Sequence, residues 1–147
     1  MICLAVVLEQ IILWETIMKI RVINGPNLNM LGIREPDIYG KTDYKALCTM
    51  IEEYASEKNV TVDIVQSNHE GDLVDMIQES LGVFDGIVIN PGAYTHYSYA
   101  IHDALASVTT MKKVEIHISD ITKRDRQYRC PCFRYCRERG KGDRGRF

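Results

Sequence analysis

The sequence has neither a glycine-rich dinucleotide fingerprint nor a phosphate-binding P-loop after any of its apolar runs, which weakens a nucleotide-dependent reading. No serine sits in a nucleophile-elbow context, and Cys48 falls inside a predicted helix, so covalent catalysis has little support. The four histidines, His69, His96, His102 and His117, come from separate segments without ligand spacing, which argues against a metal centre. The net charge of -2 makes no overall electrostatic case for nucleic acid. Five cysteines is an odd count, so no disulfide framework is implied, and the isolated Cys3 and Cys48 point to a reducing, cytoplasmic setting. The most apolar stretch, MICLAVVLEQIILWETIM, is broken by Glu9, Gln10 and Glu15 and lacks both a basic start and a small-residue cleavage site. It is too short and too interrupted to span a bilayer and makes a poor signal peptide. No repeat or low-complexity tract is present.

What is there is a regular alternation of strand-like and helix-like segments in a chain of one-domain length. Strands are predicted over Lys19 to Asn24, Val60 to Gln66, Asp85 to Asn90 and Lys113 to Ile118. Asp85 to Asn90 is the continuous apolar run of a strand buried on both faces. Helices are predicted over Asp43 to Lys58, with Leu47, Met50, Ile51 and Tyr54 as the inward stripe, over Leu73 to Leu81, and over Ser98 to Ser107. Ser67 to Gly71 reads as a loop. The pattern implies an α/β fold, an open, doubly wound parallel sheet, in which ligands bind beyond the carboxyl ends of the strands. Those ends read INGPN, QSNHEG, INPGAYTH and EIHIS, rich in Asn and His. Between the first strand and the first helix lies NLNMLGIREPDIYG, too rich in breakers for a helix and long enough to imply a substrate-binding or lid loop.

Proton transfer is the most economical chemistry for this set. Arg34 precedes Tyr39 by five residues on one loop, and a guanidinium close to a phenol favours the phenolate. His117 offers a general acid. Read singly, each residue has a plainer alternative: Tyr39 as cover for a helix end, Arg34 as a surface partner of Glu35 or Asp37, His117 as a satisfied core histidine.

Taken together, INGPNLNMLGIREPDIYG, QSNHEGDLVDMIQ, DGIVINPGAYTHYSYAIHDAL and VEIHISDI resemble, in the proper order, the type II 3-dehydroquinate dehydratases. The resemblance runs from Met18 to about Arg124. It implies a flavodoxin-like fold, no cofactor, and dehydration of 3-dehydroquinate to 3-dehydroshikimate through an enolate, in the shikimate or quinate pathway. Position by position it makes Tyr39 the base and Arg34 the cation that keeps it ionised. Asn27 becomes the enolate-stabilising amide and His117 the acid. Asn90, His96 and the backbone amides of Ile118 and Ser119 become substrate-binding groups. Glu115 is implied to orient a histidine, and Asp103 to be reached from a neighbouring subunit of trimers gathered into dodecamers. No nucleic-acid or membrane partner is implied.

The resemblance fades at the far end. After Ile121 a fifth strand and a final helix are expected, yet the chain reads TKRDRQYRCPCFRYCRERGKGDRGRF. The substrate-binding arginine of the family falls at Tyr128, and Arg129 serves only if one residue has been inserted. Residues 123–147 carry ten Lys and Arg against three acids, and Cys130, Cys132 and Cys136 depart from common zinc spacing. The expected organisation is an N-terminal appendage over 1–17, a dehydroquinase-like domain over 18–122 with its fifth strand and last helix missing or altered, and an atypical, disordered basic tail over 123–147 arising from a shifted frame or altered gene end. The rival functional reading is a binding protein of this fold, catalytically impaired by that tail.

Overall fold

The computed structural model describes residues 17–33 and 42–118. The proposed base Tyr39 and its partner Arg34, together with Ser119, Arg129 and most of the two terminal segments, lie outside the described residues.

The chain begins with β1 (Lys19–Asn24) and a short 3-10 turn at Leu28–Met30, followed by α1 (Tyr44–Glu57) and β2 (Thr61–Gln66). Then come α2 (Glu70–Glu79), β3 (Gly86–Asn90), a 3-10 turn at Gly92–His96, α3 (Tyr99–Ser107) and β4 (Lys112–Glu115). The strands form one parallel sheet in the order β2-β1-β3-β4. This is the expected doubly wound α/β arrangement. Strand order reverses between β1 and β3, so a crevice opens there at the carboxyl edge. Four strands are present among the described residues, and no fifth.

Side-chain alternation gives the sheet two distinct faces. On one, Ile23, Ile87 and Ile89 join Leu73 and Ile77 of α2 and Ile101, Ala104 and Leu105 of α3 in the main core. Arg21 lies on the same face, its Nε 3.0 Å from Asp63 Oδ2, its Nη1 donating to the Met76 carbonyl at 3.2 Å, and its guanidinium 5.1 Å from the Phe84 ring centroid. The opposite face carries Ile64, Val22, Val88 and Val114, aligned by register across all four strands. Val22 is 5% exposed and Val114 53%. Packing on that side is thus concentrated over β1 and β2, where α1 lies.

Helix starts follow their capping residues. Asp43 accepts from the Ala46 N–H at 2.7 Å to begin α1, and Ser98 accepts from the Ile101 N–H at 3.0 Å to begin α3. Three expectations are corrected. Helix α2 starts at Glu70 rather than Leu73 and stops at Glu79, leaving Leu81 exposed. Gly71 marks no loop there, because it sits in an open first turn whose acids Glu70 and Asp72 suit the helix dipole. On α1, Met50 and Tyr54 are 52% and 61% exposed. The helix lies chiefly over β2, and the flank that is buried or half-buried is that of Tyr44, Leu47, Cys48, Ile51 and Ala55. Finally, β4 ends at Glu115 and not at Ile118. Ile116 still donates to the Ile89 carbonyl at 2.9 Å, but Pro91 then turns β3 away and removes the pairing partner.

Candidate active site

Two groups of residues stand at the carboxyl edge of the sheet. The first spans the crevice between β1 and β3. Asn24, Asn90 and Gln66 are aligned across three adjacent strands, and Asn24 and Asn90 are buried. The Gly25 N–H donates to the Asn90 carbonyl at 2.8 Å, extending the ladder one step past the strand. A β-carbon at Gly25 would stand 2.8 Å from the Pro91 carbonyl carbon, so glycine is what lets the two loops meet. Asn90 Oδ1 accepts from the Gly92 N–H at 3.2 Å. With the oxygen so engaged, the Asn90 amide nitrogen is the end offered as a donor.

Asn27 has a left-handed backbone, φ 67°, a conformation that asparagine tolerates better than most residues. Its N–H donates to Asn68 Oδ1 at 3.0 Å. Asn68 is itself held: Oδ1 also accepts from Gln66 Nε2 at 3.1 Å, and its carbonyl accepts from Tyr94 Oη at 3.2 Å. Gln66 Nε2 lies 3.3 Å from the Gly25 carbonyl as well. The β2 end therefore braces the exposed Asn27. Beneath the same loop, Asn24 Nδ2 donates to Tyr44 Oη at 3.3 Å. Burial, foremost, and the neighbouring Cys48 thiol push the Tyr44 phenol above its ordinary value, against the opposing effect of the Asn24 bond.

The second group is at β4. His117 Nε2 is hydrogen-bonded to Glu115 Oε1, and the same oxygen accepts from Thr95 Oγ1 at 2.6 Å. Two residues apart on extended backbone, Glu115 and His117 share a side, as their spacing requires. The turn after β3 carries Thr95 alongside because β3 and β4 are neighbours. The carboxylate fixes one ring nitrogen and leaves Nδ1 as the other, a disposition suited to handing over a proton. His96, half-buried, closes the turn. Ile118 is exposed just past the strand, and Asp103 is exposed on α3.

Thr95, Asn68 and Gln66 were not singled out by residue type or spacing. Their neighbours Asn90, His96 and His69 carried the evident chemistry, and only the fold reveals what the others hold. Among the described residues no cluster of three or more His, Cys, Asp or Glu could hold a metal ion, and no helix is long and apolar enough to cross a membrane.

Fold and edge chemistry define a flavodoxin-like α/β protein with a row of amides at its topological switch point and, past β4, a histidine held by a carboxylate. The family model for class II dehydroquinases matches residues 18–135, and the chain belongs to that family, whose members are lyases. It is 57% identical over 109 residues to a 3-dehydroquinate dehydratase of Lachnospira eligens, covering 74% of each chain. To the enzyme of that name from Caldicellulosiruptor saccharolyticus it is 56% identical over 108 residues, 73% of this chain and 74% of the relative. The crystal structure of a type II dehydroquinase from Butyrivibrio crossotus superposes with a TM-score of 0.75 at 59% identity, covering 78% of this chain and 80% of the other. A type II dehydroquinase from Propionibacterium acnes gives a TM-score of 0.71 at 37% identity, covering 77% and 79%.

Proposed function

We propose that the chain dehydrates 3-dehydroquinate to 3-dehydroshikimate through an enolate, with the roles distributed as follows. The Tyr39 phenolate, kept ionised by Arg34, removes a proton from the carbon beside the ketone, and the electron pair moves onto the carbonyl oxygen. Asn27, through an ordered water, stabilises that oxygen. The enolate then collapses, the bond to the tertiary hydroxyl breaks, and His117 supplies the proton with which it leaves as water. Solvent returns Tyr39 and His117 to their starting states. Asn90, His96, Arg129 and the amides of Ile118 and Ser119 hold the substrate, and Asp103 reaches a neighbouring subunit's site in a dodecamer of trimers. Catalysis needs no cofactor and takes place in the cytoplasm. Residues 18–122 form the working domain, with 1–17 an appendage and 123–147 a basic tail.

The observation that carries this reading is the Glu115-held His117 at the carboxyl edge of a sheet belonging to this family. The hydrogen bond between Glu115 and His117 supports the role of an orienting partner for a general acid.

Adding 3-dehydroquinate to the folded protein is expected to produce the ultraviolet absorbance of the conjugated enone. Tyr39→Phe and His117→Ala should each reduce its rate by about 100-fold or more. Absence of signal from folded wild-type protein, with tight binding of the substrate by calorimetry, would instead establish the impaired binding protein.

A further inference from the structure

We propose that Thr95 is a positioning residue for the general acid, acting on His117 through Glu115; this rests on the role given to His117 above. Thr95 is 4% exposed in the turn between β3 and α3, and its hydroxyl reaches the one carboxylate oxygen that also meets His117 Nε2. An ionised carboxylate only accepts, so at 2.6 Å Thr95 Oγ1 donates. Charge-assisted bonds of this length are among the stronger side-chain bonds and are directional.

The consequence is geometric. Glu115 is the last residue of β4, and beyond it one ladder bond remains, from the Ile116 N–H to the Ile89 carbonyl. Its carboxylate can rotate unless something outside the strand holds it. Thr95 supplies that hold from the neighbouring β3 turn, so the Glu115 oxygen stays where His117 Nε2 meets it. The neutral ring is thereby kept in one tautomer, with its proton on Nε2 toward Glu115, and the protonated ring presents its Nδ1–H for transfer. A methyl group in place of the hydroxyl would fill the same volume and leave the carboxylate free to turn.

The test compares Thr95→Val and Thr95→Ser in the full-length protein. Thr95→Val is expected to lower kcat roughly 10- to 100-fold, the scale of a misplaced reacting group, with KM nearly unchanged. Thr95→Ser restores kcat. In a Glu115→Gln background the valine change should have almost no further effect, because the route through the carboxylate is already lost. Nitrogen-15 NMR of the His117 ring provides a readout independent of turnover: one tautomer in wild type and Thr95→Ser, a mixture in Thr95→Val. Wild-type kcat in Thr95→Val, or unaltered His117 ring signals in that variant, would overturn the proposal. An inactive wild-type protein whose ring signals still respond to Thr95→Val would overturn the assigned reaction and leave the positioning role standing.

Discussion

Gly25 and Pro91 approach so closely that a β-carbon on Gly25 would lie 2.8 Å from both the carbonyl carbon and the carbonyl oxygen of Pro91. Those atoms are backbone, fixed by the β3 end and the turn behind it, and cannot swing aside. Gly25→Ala is therefore expected to destabilise the fold by about 1–3 kcal/mol, the usual range for forced overpacking. It should also slow turnover, because the displaced loops carry Asn27 and Asn90. Urea denaturation together with the enone assay checks both effects.

Arg21 sits at the other end of the sheet's function. Its guanidinium joins Asp63, the Met76 carbonyl and the Phe84 ring, with Glu79 3.6 Å from Nη1. Asp63 and Glu79 are well exposed, so solvent weakens both ion pairs, and most of the contribution comes from packing and the carbonyl bond. Arg21→Ala should cost about 1–3 kcal/mol of stability. Because the network lies away from the carboxyl edge, kcat of the folded variant should stay within about twofold of wild type. Chemical unfolding and steady-state kinetics separate the two.

Tyr44 provides a pH signature. Its phenol is raised above the ordinary value of 10.0, mainly by burial. Above pH 10 the unfolded chain therefore loses this proton more readily than the folded one, so stability falls as pH rises. The contribution is fully present below the unfolded value and disappears as pH climbs through the folded one. Unfolding free energies across the alkaline range should fall more steeply for wild type than for Tyr44→Phe, and equal slopes would refute the assignment.

Much of this architecture was legible from residue patterns because its causes are local. The apolar run ending at Asn90 is of the sort that lies buried on both faces, and all but one of the residues of β3 are buried. The helices predicted to start at Asp43 and Ser98 do start there, because those side chains cap within one turn. The stripe on α1 misled because spacing fixes which residues share a side, not how much sheet lies opposite. Met50 and Tyr54 share a side with Leu47, yet β2 ends beneath them at the sheet's edge. Alternate spacing puts Glu115 and His117 on one side of the chain, and a Glu115 that orients a histidine was what the family resemblance implied. Thr95 was legible in neither way, since it joins them from 20 residues away through the adjacency of β3 and β4.

That adjacency has a wider meaning for the enzyme. β4 is four residues long and, among the described strands, has β3 as its sole neighbour. The proposed proton donor His117 thus follows the shortest of the described strands, whereas Asn24 and Asn90 end the two central ones. A segment that paired with the other edge of β4 would splint the residues that follow it, and the rate of the proposed proton transfer would then gauge how firmly that edge is held.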